Sequence, residues 1–121
     1  MREPQPITVV VADDGTDERR SVVQCLEESG FRVLEAQTGA EALRLVRTQP
    51  DVAILDVQLP DIDGFRVLTR LAALAVRPAV VLISTREAAD YGSRVARSGA
   101  AGFITKADLS VEALARAVGS R

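Results

Sequence analysis

The 121-residue sequence predicts an α/β fold: a five-stranded parallel sheet, doubly wound by helices into a three-layer α/β/α sandwich of (βα)5 order. Two observations carry this. Short runs of Val, Ile, Leu and Ala alternate five times with segments of helical period, and those runs are apolar on both faces, as strands covered on both sides must be. Parallel neighbours of this kind are joined by right-handed crossovers. A third observation locates the chemistry. Four strand ends carry polar groups, Asp13-Asp14, Asp56, Ser84-Thr85 and Lys106, and such sheets bind ligands beyond the carboxyl ends of their strands.

Residues 7–12 form a continuous β-branched run, the first strand, and 17–29 follow as an amphipathic helix closed by Gly30. Residues 31–36 read as the second strand. Thr38 and Glu41 make a capping-box pair that opens a helix stopped by Pro50. Residues 52–56 are a third buried strand; beyond the turn residues 60–64 comes a helix with Phe65, Leu68, Leu71 and Ala72 on one side. Pro78 separates it from the fourth strand, 79–84. Residues 88–98 predict a weaker helix that contains Gly92 and ends before Gly99, 102–105 a short fifth strand, and 110–118 the last helix. No repeat, linker or low-complexity tract intervenes. The expectation is one domain, 1–121, with its core in 7–118 and loose ends at 1–5 and 119–121.

Apolar content of 47% with only 3% aromatics suits a core of small aliphatic side chains and leaves little for stacking on bases or flavins. Residues 1–60 hold 6 basic and 11 acidic side chains and residues 61–121 hold 9 and 6, an asymmetry too mild for the basic stripe that direct nucleic-acid binding needs. Cys25 is alone among Val22, Val23 and Leu26 and reads as a small buried core side chain. The opening Met-Arg-Glu-Pro lacks a signal peptide's apolar run and no stretch reaches membrane-spanning length, so a cytoplasmic protein with no membrane partner is expected. Histidine is absent, which removes the usual general base and metal ligand.

Lys106 is the single lysine of a chain that otherwise uses arginine. Asp13-Asp14 taken alone reads equally well as a helix-capping pair. An ionised Asp56 closing Val-Ala-Ile-Leu, however, needs a partner, a metal or solvent. Carboxylates about 4 Å apart repel by roughly 4 kcal/mol per pair at an effective dielectric near 20, so positive charge must lie between them. An all-oxygen site of this size suits Mg²⁺ shared with a phosphate better than calcium. A divalent ion, an ammonium and a hydroxyl around one carboxylate are what phosphoryl transfer to that carboxylate requires. Asp56 is then the nucleophile, and no histidine is needed to deprotonate it.

These residues resemble a bacterial response-regulator receiver domain, the flavodoxin-like fold of chemotaxis regulators. The resemblance covers 7–118. It rests on the acidic pair after strand one, Asp56-Val-Gln-Leu-Pro60-Asp-Ile-Asp-Gly64 after strand three, a hydroxyl residue ending strand four, and Gly99-Ala-Ala-Gly-Phe103-Ile-Thr-Lys106. It implies that Asp14 ligates Mg²⁺ directly, that Asp13 acts mainly through water, that Gln58 lends its backbone carbonyl, and that Asp56 both takes the phosphoryl group and joins the metal site. It also implies that Lys106 pairs with the phosphoryl oxygens and that Phe103 is the aromatic whose orientation follows activation. Counting back from Gly99 puts Ser84 at the switch hydroxyl, with Thr85 the alternative. Ala107 stands where the family commonly has proline, which removes the reason to expect a cis peptide there.

The resemblance further implies phosphoryl supply by a sensor histidine kinase, a histidine phosphotransfer protein or a small acyl phosphate, with the domain catalysing its own phosphorylation and slow dephosphorylation. Gln58 and Arg86 flank the site and would set the lifetime. Output would pass through helix 4, strand 5 and helix 5 to a homodimer partner or downstream effector. Tyr91, Arg94 and Arg97 are candidates for that surface, an ordinary solvated helix face being the alternative. The rival readings are a degenerate receiver serving only protein interaction, a small metal-dependent phosphatase and a flavodoxin-like ligand binder. Gln58 counts against the phosphatase, since no second carboxylate stands two residues after Asp56.

Overall fold

A computed structural model of the chain describes residues 6–119; the expected loose ends at 1–5 and 120–121 lie outside the described residues. Five parallel strands, β1 (Thr8–Ala12), β2 (Arg32–Ala36), β3 (Val52–Asp56), β4 (Ala79–Ser84) and β5 (Gly102–Thr105), form one sheet in the order β2-β1-β3-β4-β5. The chain steps outward from β1 to β2 and then returns past β1 to β3, so the order reverses between β1 and β3. Val10 sits opposite both Leu34 and Ala53, and Asp56 opposite Ile83.

Side chains alternate across the sheet, and the two resulting sets build two cores. Val10, Ala12, Ala53, Leu55, Val80 and Leu82 face α2 (Gly39–Val46) and α3 (Gly64–Leu71). Val9, Val11, Ile54, Val81, Ile83 and Ile104 face α1 (Thr16–Glu28) and α5 (Val111–Gly119). The three-layer, doubly wound α/β architecture is as the sequence predicts. Gly119 belongs to the last turn of α5 rather than to a loose end.

Local chemistry sets the boundaries. After α1, Gly30 takes φ of +93° while its N–H reaches Glu27 and that of Phe31 reaches Leu26, the left-handed stop expected of this glycine. Thr38 Oγ1 accepts from the Glu41 N–H at 3.0 Å and caps α2. That helix ends at Val46, short of Pro50, because Gln49 adopts φ of +59° and turns the chain first. The weak helix expected over 88–98 is broken. A 3-10 turn (Ala88–Tyr91) and a single α turn, α4 (Arg94–Arg97), are separated by Gly92 at φ +58°. Cys25 corrects the reading of a buried core side chain: it is exposed, because α1 turns Val23 and Leu26 inward instead. Among the described residues no helix is long and apolar enough to cross a membrane.

Candidate functional site

The residues at the carboxyl edge of β1, β3 and β5 converge. Asp13 and Asp56 are buried and Asp14 is exposed, yet each offers a carboxylate oxygen within 4.8 Å of the others. Lys106 enters from the turn after β5 and places its Nζ 2.7 Å from Asp56 Oδ2, 2.9 Å from Asp13 Oδ2 and 3.0 Å from Glu18 Oε2. One ammonium thus serves three carboxylates.

The loops that carry these groups are tied down. Asp13 Oδ1 accepts from the Gly15 N–H and Asp56 Oδ1 from the Gln58 N–H, each at 2.9 Å, so both carboxylates are oriented by their own backbone two residues on. Arg19, buried in the first turns of α1, donates to the Asp13 carbonyl at 2.9 Å and pairs through Nε with Glu35 of β2 at 3.0 Å; Arg20 also pairs with Glu35. On the other side, Asp61 accepts from the Gly39 and Ala40 N–H groups at 2.8 and 2.9 Å, so the loop after β3 caps the N-terminus of α2. Gly64 lets α3 begin against that loop. A Cβ there would lie 2.7 Å from the Asp56 carbonyl oxygen and 3.1 Å from Val57 Cα.

Burial pushes the Asp56 carboxyl above its ordinary range, opposed by the bonds it receives from Lys106 and Gln58. Burial alone would lower the Lys106 ammonium, but its bonds to Asp56, Asp13 and Glu18 hold it above the ordinary lysine value. Lys106 therefore stays charged throughout the neutral range. For Asp61, burial would raise the carboxyl, and the backbone N–H groups of Gly39 and Ala40 hold it below the usual range instead. A cavity of about 390 Å³ opens beside the cluster between α1 and α5, with Asp13, Glu18, Thr85 and Lys106 at its polar end.

Ser84 and Thr85 part company at the end of β4. Thr85 is exposed and lines that cavity, whereas Ser84 is buried and its Oγ lies 2.6 Å from the Tyr91 hydroxyl while accepting from the Arg86 N–H at 3.0 Å. Tyr91, expected on an exposed partner surface, is half-buried: its ring packs edge-on to Phe65 at 5.5 Å and tilted against Phe103 at 5.9 Å. The Arg94 guanidinium covers Phe65 at 4.3 Å and pairs with Asp63 at 3.5 Å, while Arg97 is exposed. Phe103 is half-buried against the α2–α3 core.

The structure therefore brings Asp13, Asp14, Asp56 and Lys106 together, with Gln58 next to Asp56, and holds Ser84 apart on Tyr91. Glu18 and Arg19 join the site without any sequence pattern that singles them out, and Asp61 stands in the motif after β3 with its capping of α2 unread there. Glu18 meets Lys106 across 88 positions of sequence and Asp61 meets Gly39 across 22, separations that no local pattern spans.

The family model of the response regulator receiver domain matches residues 9–118. Transcriptional regulatory protein PrrA of Mycobacterium leprae is 37% identical over 109 residues, 89% of this chain and 47% of that protein. The probable transcriptional regulatory protein NarL of Mycobacterium tuberculosis is 39% identical over 111 residues, 88% of this chain and 51% of that protein. The chain thus spans about half the length of the curated relatives it matches. Among solved structures, the signal receiver domain of NarL from Mycobacterium tuberculosis superimposes with a TM-score of 0.84 at 35% identity, covering 98% of this chain and 100% of that one. A carboxylate pocket bridged by one lysine, at the edge of a sheet that matches throughout, leads to the same place: the chain belongs to the receiver domains of two-component response regulators.

Proposed function

We propose that Asp56 is the phosphoacceptor of this receiver domain and that Lys106 and the Asp13-Asp14 pair are its reaction partners. The observation that carries the reading is the 2.7 Å contact between Lys106 Nζ and Asp56 Oδ2 within a cluster of three carboxylates. An Asp56 oxygen attacks phosphorus, the donor's P–N bond to imidazole or P–O bond to an acyl group breaks, and the departing group keeps the electron pair; a leaving imidazole then takes a proton from solvent. Lys106 moves from the Asp56 oxygen to a phosphoryl oxygen and stabilises the charge there.

Three hard oxygen donors within 4.8 Å of one another, beside open solvent at Asp14, fit Mg²⁺. Asp14, Asp56 and the Gln58 carbonyl would hold it, with Asp13 acting through water. When bound, the ion supplies positive charge opposite Lys106. The reactant is a phosphohistidine on a sensor kinase or phosphotransfer protein, since the sequence has no histidine of its own. Dephosphorylation is the same site attacked by water, with Gln58 and Arg86 at its edge.

Ser84 closes on the phosphoryl group and Phe103 follows it, changing the surface of α4, β5 and α5 for a second copy or an effector. The relatives named as transcriptional regulatory proteins, of which this chain spans about half, support an effector that acts in transcription. Residues 7–118 act as one unit in the cytoplasm. A purely interactive, degenerate receiver is not favoured, because every charged group of the reaction is in place.

The test is intact-mass spectrometry after incubation with acetyl phosphate and Mg²⁺. Wild type gains one phosphoryl group and Asp56→Asn gains none. Equal labelling of the two proteins sinks the assignment.

A further inference from the structure

We propose that Tyr91 is a positioning residue for the phosphoryl-transfer reaction, a latch whose hydroxyl holds Ser84 away from the acceptor site in the resting domain. The proposal rests on the reading of Asp56 as acceptor and Ser84 as its hydroxyl partner. Four observations support it.

The first is direction. Along β4, Val80 and Leu82 point into the α2–α3 core, so Ser84, two residues on, falls on that same face. Asp56 follows Ile54, and Lys106 follows Ile104, on the α1–α5 face. The second is capacity. A serine hydroxyl has one donor and two acceptor positions. The Arg86 N–H fills one acceptor and Tyr91 takes a further position at 2.6 Å, in a side chain only 1% exposed. Because Ser84 faces the α2–α3 side and Asp56 the α1–α5 side, carrying Ser84 Oγ to a phosphoryl oxygen turns it away from the Tyr91 hydroxyl and breaks that bond.

The third is rigidity. The Tyr91 ring is clasped between Phe65 of α3 and Phe103 of β5, and Phe65 is itself capped by Arg94 and buried. A phenol held on two rings aims its hydroxyl without losing further rotamer freedom. The fourth is connection. Tyr91 ends the 3-10 turn and the next residue is Gly92 at φ +58°, the joint with α4. Release of one hydrogen bond frees Ser84 toward the acceptor and frees the joint that carries α4. The latch couples the two.

Tyr91 is also the single tyrosine of a chain without tryptophan, so tyrosine emission reads this hydroxyl alone. In wild type, acetyl phosphate with Mg²⁺ shifts that emission in step with the phosphoryl occupancy found by mass spectrometry, and Asp56→Asn shows no shift. Ser84→Ala, with the partner deleted, starts at the emission of the phosphorylated wild type. Tyr91→Phe keeps the ring contacts and loses the bond; at subsaturating acetyl phosphate its ratio of phosphorylated to unphosphorylated protein rises roughly fivefold, the equilibrium weight of one net hydrogen bond. A merely structural role of the ring leaves that ratio unchanged.

Wild type that is phosphorylated on Asp56 with unaltered tyrosine emission overturns the latch, as does a Tyr91→Phe ratio equal to or below that of wild type. Failure of wild type to label at Asp56 overturns the acceptor reading and the latch with it. If circular dichroism shows Tyr91→Phe unfolded, the wild-type emission decides alone.

Discussion

Replacing Lys106 by Met keeps most of the side chain's length and removes the one cation among Asp13, Asp56 and Glu18. Two of those carboxylates are buried, and at a separation within 4.8 Å an unscreened pair repels by at least about 3.5 kcal/mol at an effective dielectric of 20. The domain has an escape. It can protonate Asp56, which costs less than the about 4 kcal/mol that an ordinary aspartate value near 3.9 would demand at pH 7, since burial already raises that carboxyl. The cheaper route sets the loss, so Lys106→Met should lose roughly 2 to 4 kcal/mol in EDTA at pH 7, a fall in Tm of about 6 °C or more for a domain of this size. The sign of the pH dependence follows. The folded Lys106 value lies above the unfolded one, so its contribution is complete below about pH 10.4 and is lost as pH rises through the folded value. On the acid side the loss in Lys106→Met shrinks as pH falls, because the Asp56 carboxyl, already raised by burial, takes up a proton and its repulsion is relieved. Mg²⁺ replaces the missing charge and should stabilise the variant more than the wild type. Thermal melts at pH 4.5 and 7, with EDTA or Mg²⁺, test each step. A variant melting within about 3 °C of wild type in EDTA at pH 7 would refute the claim that this lysine neutralises the pocket.

Asp56→Asn tests the opposite sign: a folded carboxyl raised above its unfolded value costs stability as pH rises from about 3.9 through the folded value. In EDTA the variant should melt above wild type at pH 7 and converge with it below pH 4, and a lower Tm at neutral pH would contradict the burial argument. Asp61→Ala should lose roughly 1 kcal/mol, the usual worth of a helix cap, with Asp61→Asn losing less. Because the folded Asp61 value is lowered, its contribution is present above about pH 3.9 and disappears as pH falls through the folded value, so denaturant melts of wild type and Asp61→Ala should draw together in acid. Gly64→Ala should cost about 1 to 3 kcal/mol, since its methyl meets backbone that cannot swing aside, and should slow acetyl phosphate labelling of Asp56; unchanged labelling would mean the loop tolerates the shift.

The sheet is legible in the sequence because Val9 to Ala12, Ala53 to Leu55 and Val80 to Ile83 are apolar without interruption, and only a strand buried on both faces uses such a run at that length. Asp13, Asp14, Asp56 and Lys106 are legible for the complementary reason: a charge that closes an apolar strand is costly to desolvate unless an opposite charge or a ligand meets it there. Glu18 is not, because nothing distinguishes it from an ordinary acidic residue in a helix's first turn until the fold brings Lys106 to it. The exposure of Cys25 depends on which way α1 rolls, a matter of one residue in a helix whose polar and apolar positions are unevenly spaced. The burial of Tyr91 is hidden because its neighbours Asp90, Gly92 and Ser93 are polar or small, while the rings that receive it come from α3 and β5. The break at Gly92 is half visible, in a glycine that lowers helix propensity without saying whether the helix bends or stops.

The flanks of β3 are tied unequally. On the side of β1 and α2, Arg19 grips the Asp13 carbonyl and Asp61 pins the start of α2, so new charge arriving at Asp56 meets resistance there. On the side of β4 the backbone leads within a few residues to a 3-10 turn, a glycine joint and one turn of helix. A perturbation at the strand end should displace the flank with fewer such ties, which is the glycine joint beyond β4. For the switch proposed above, the placing of these braces points the output toward β4 and α4.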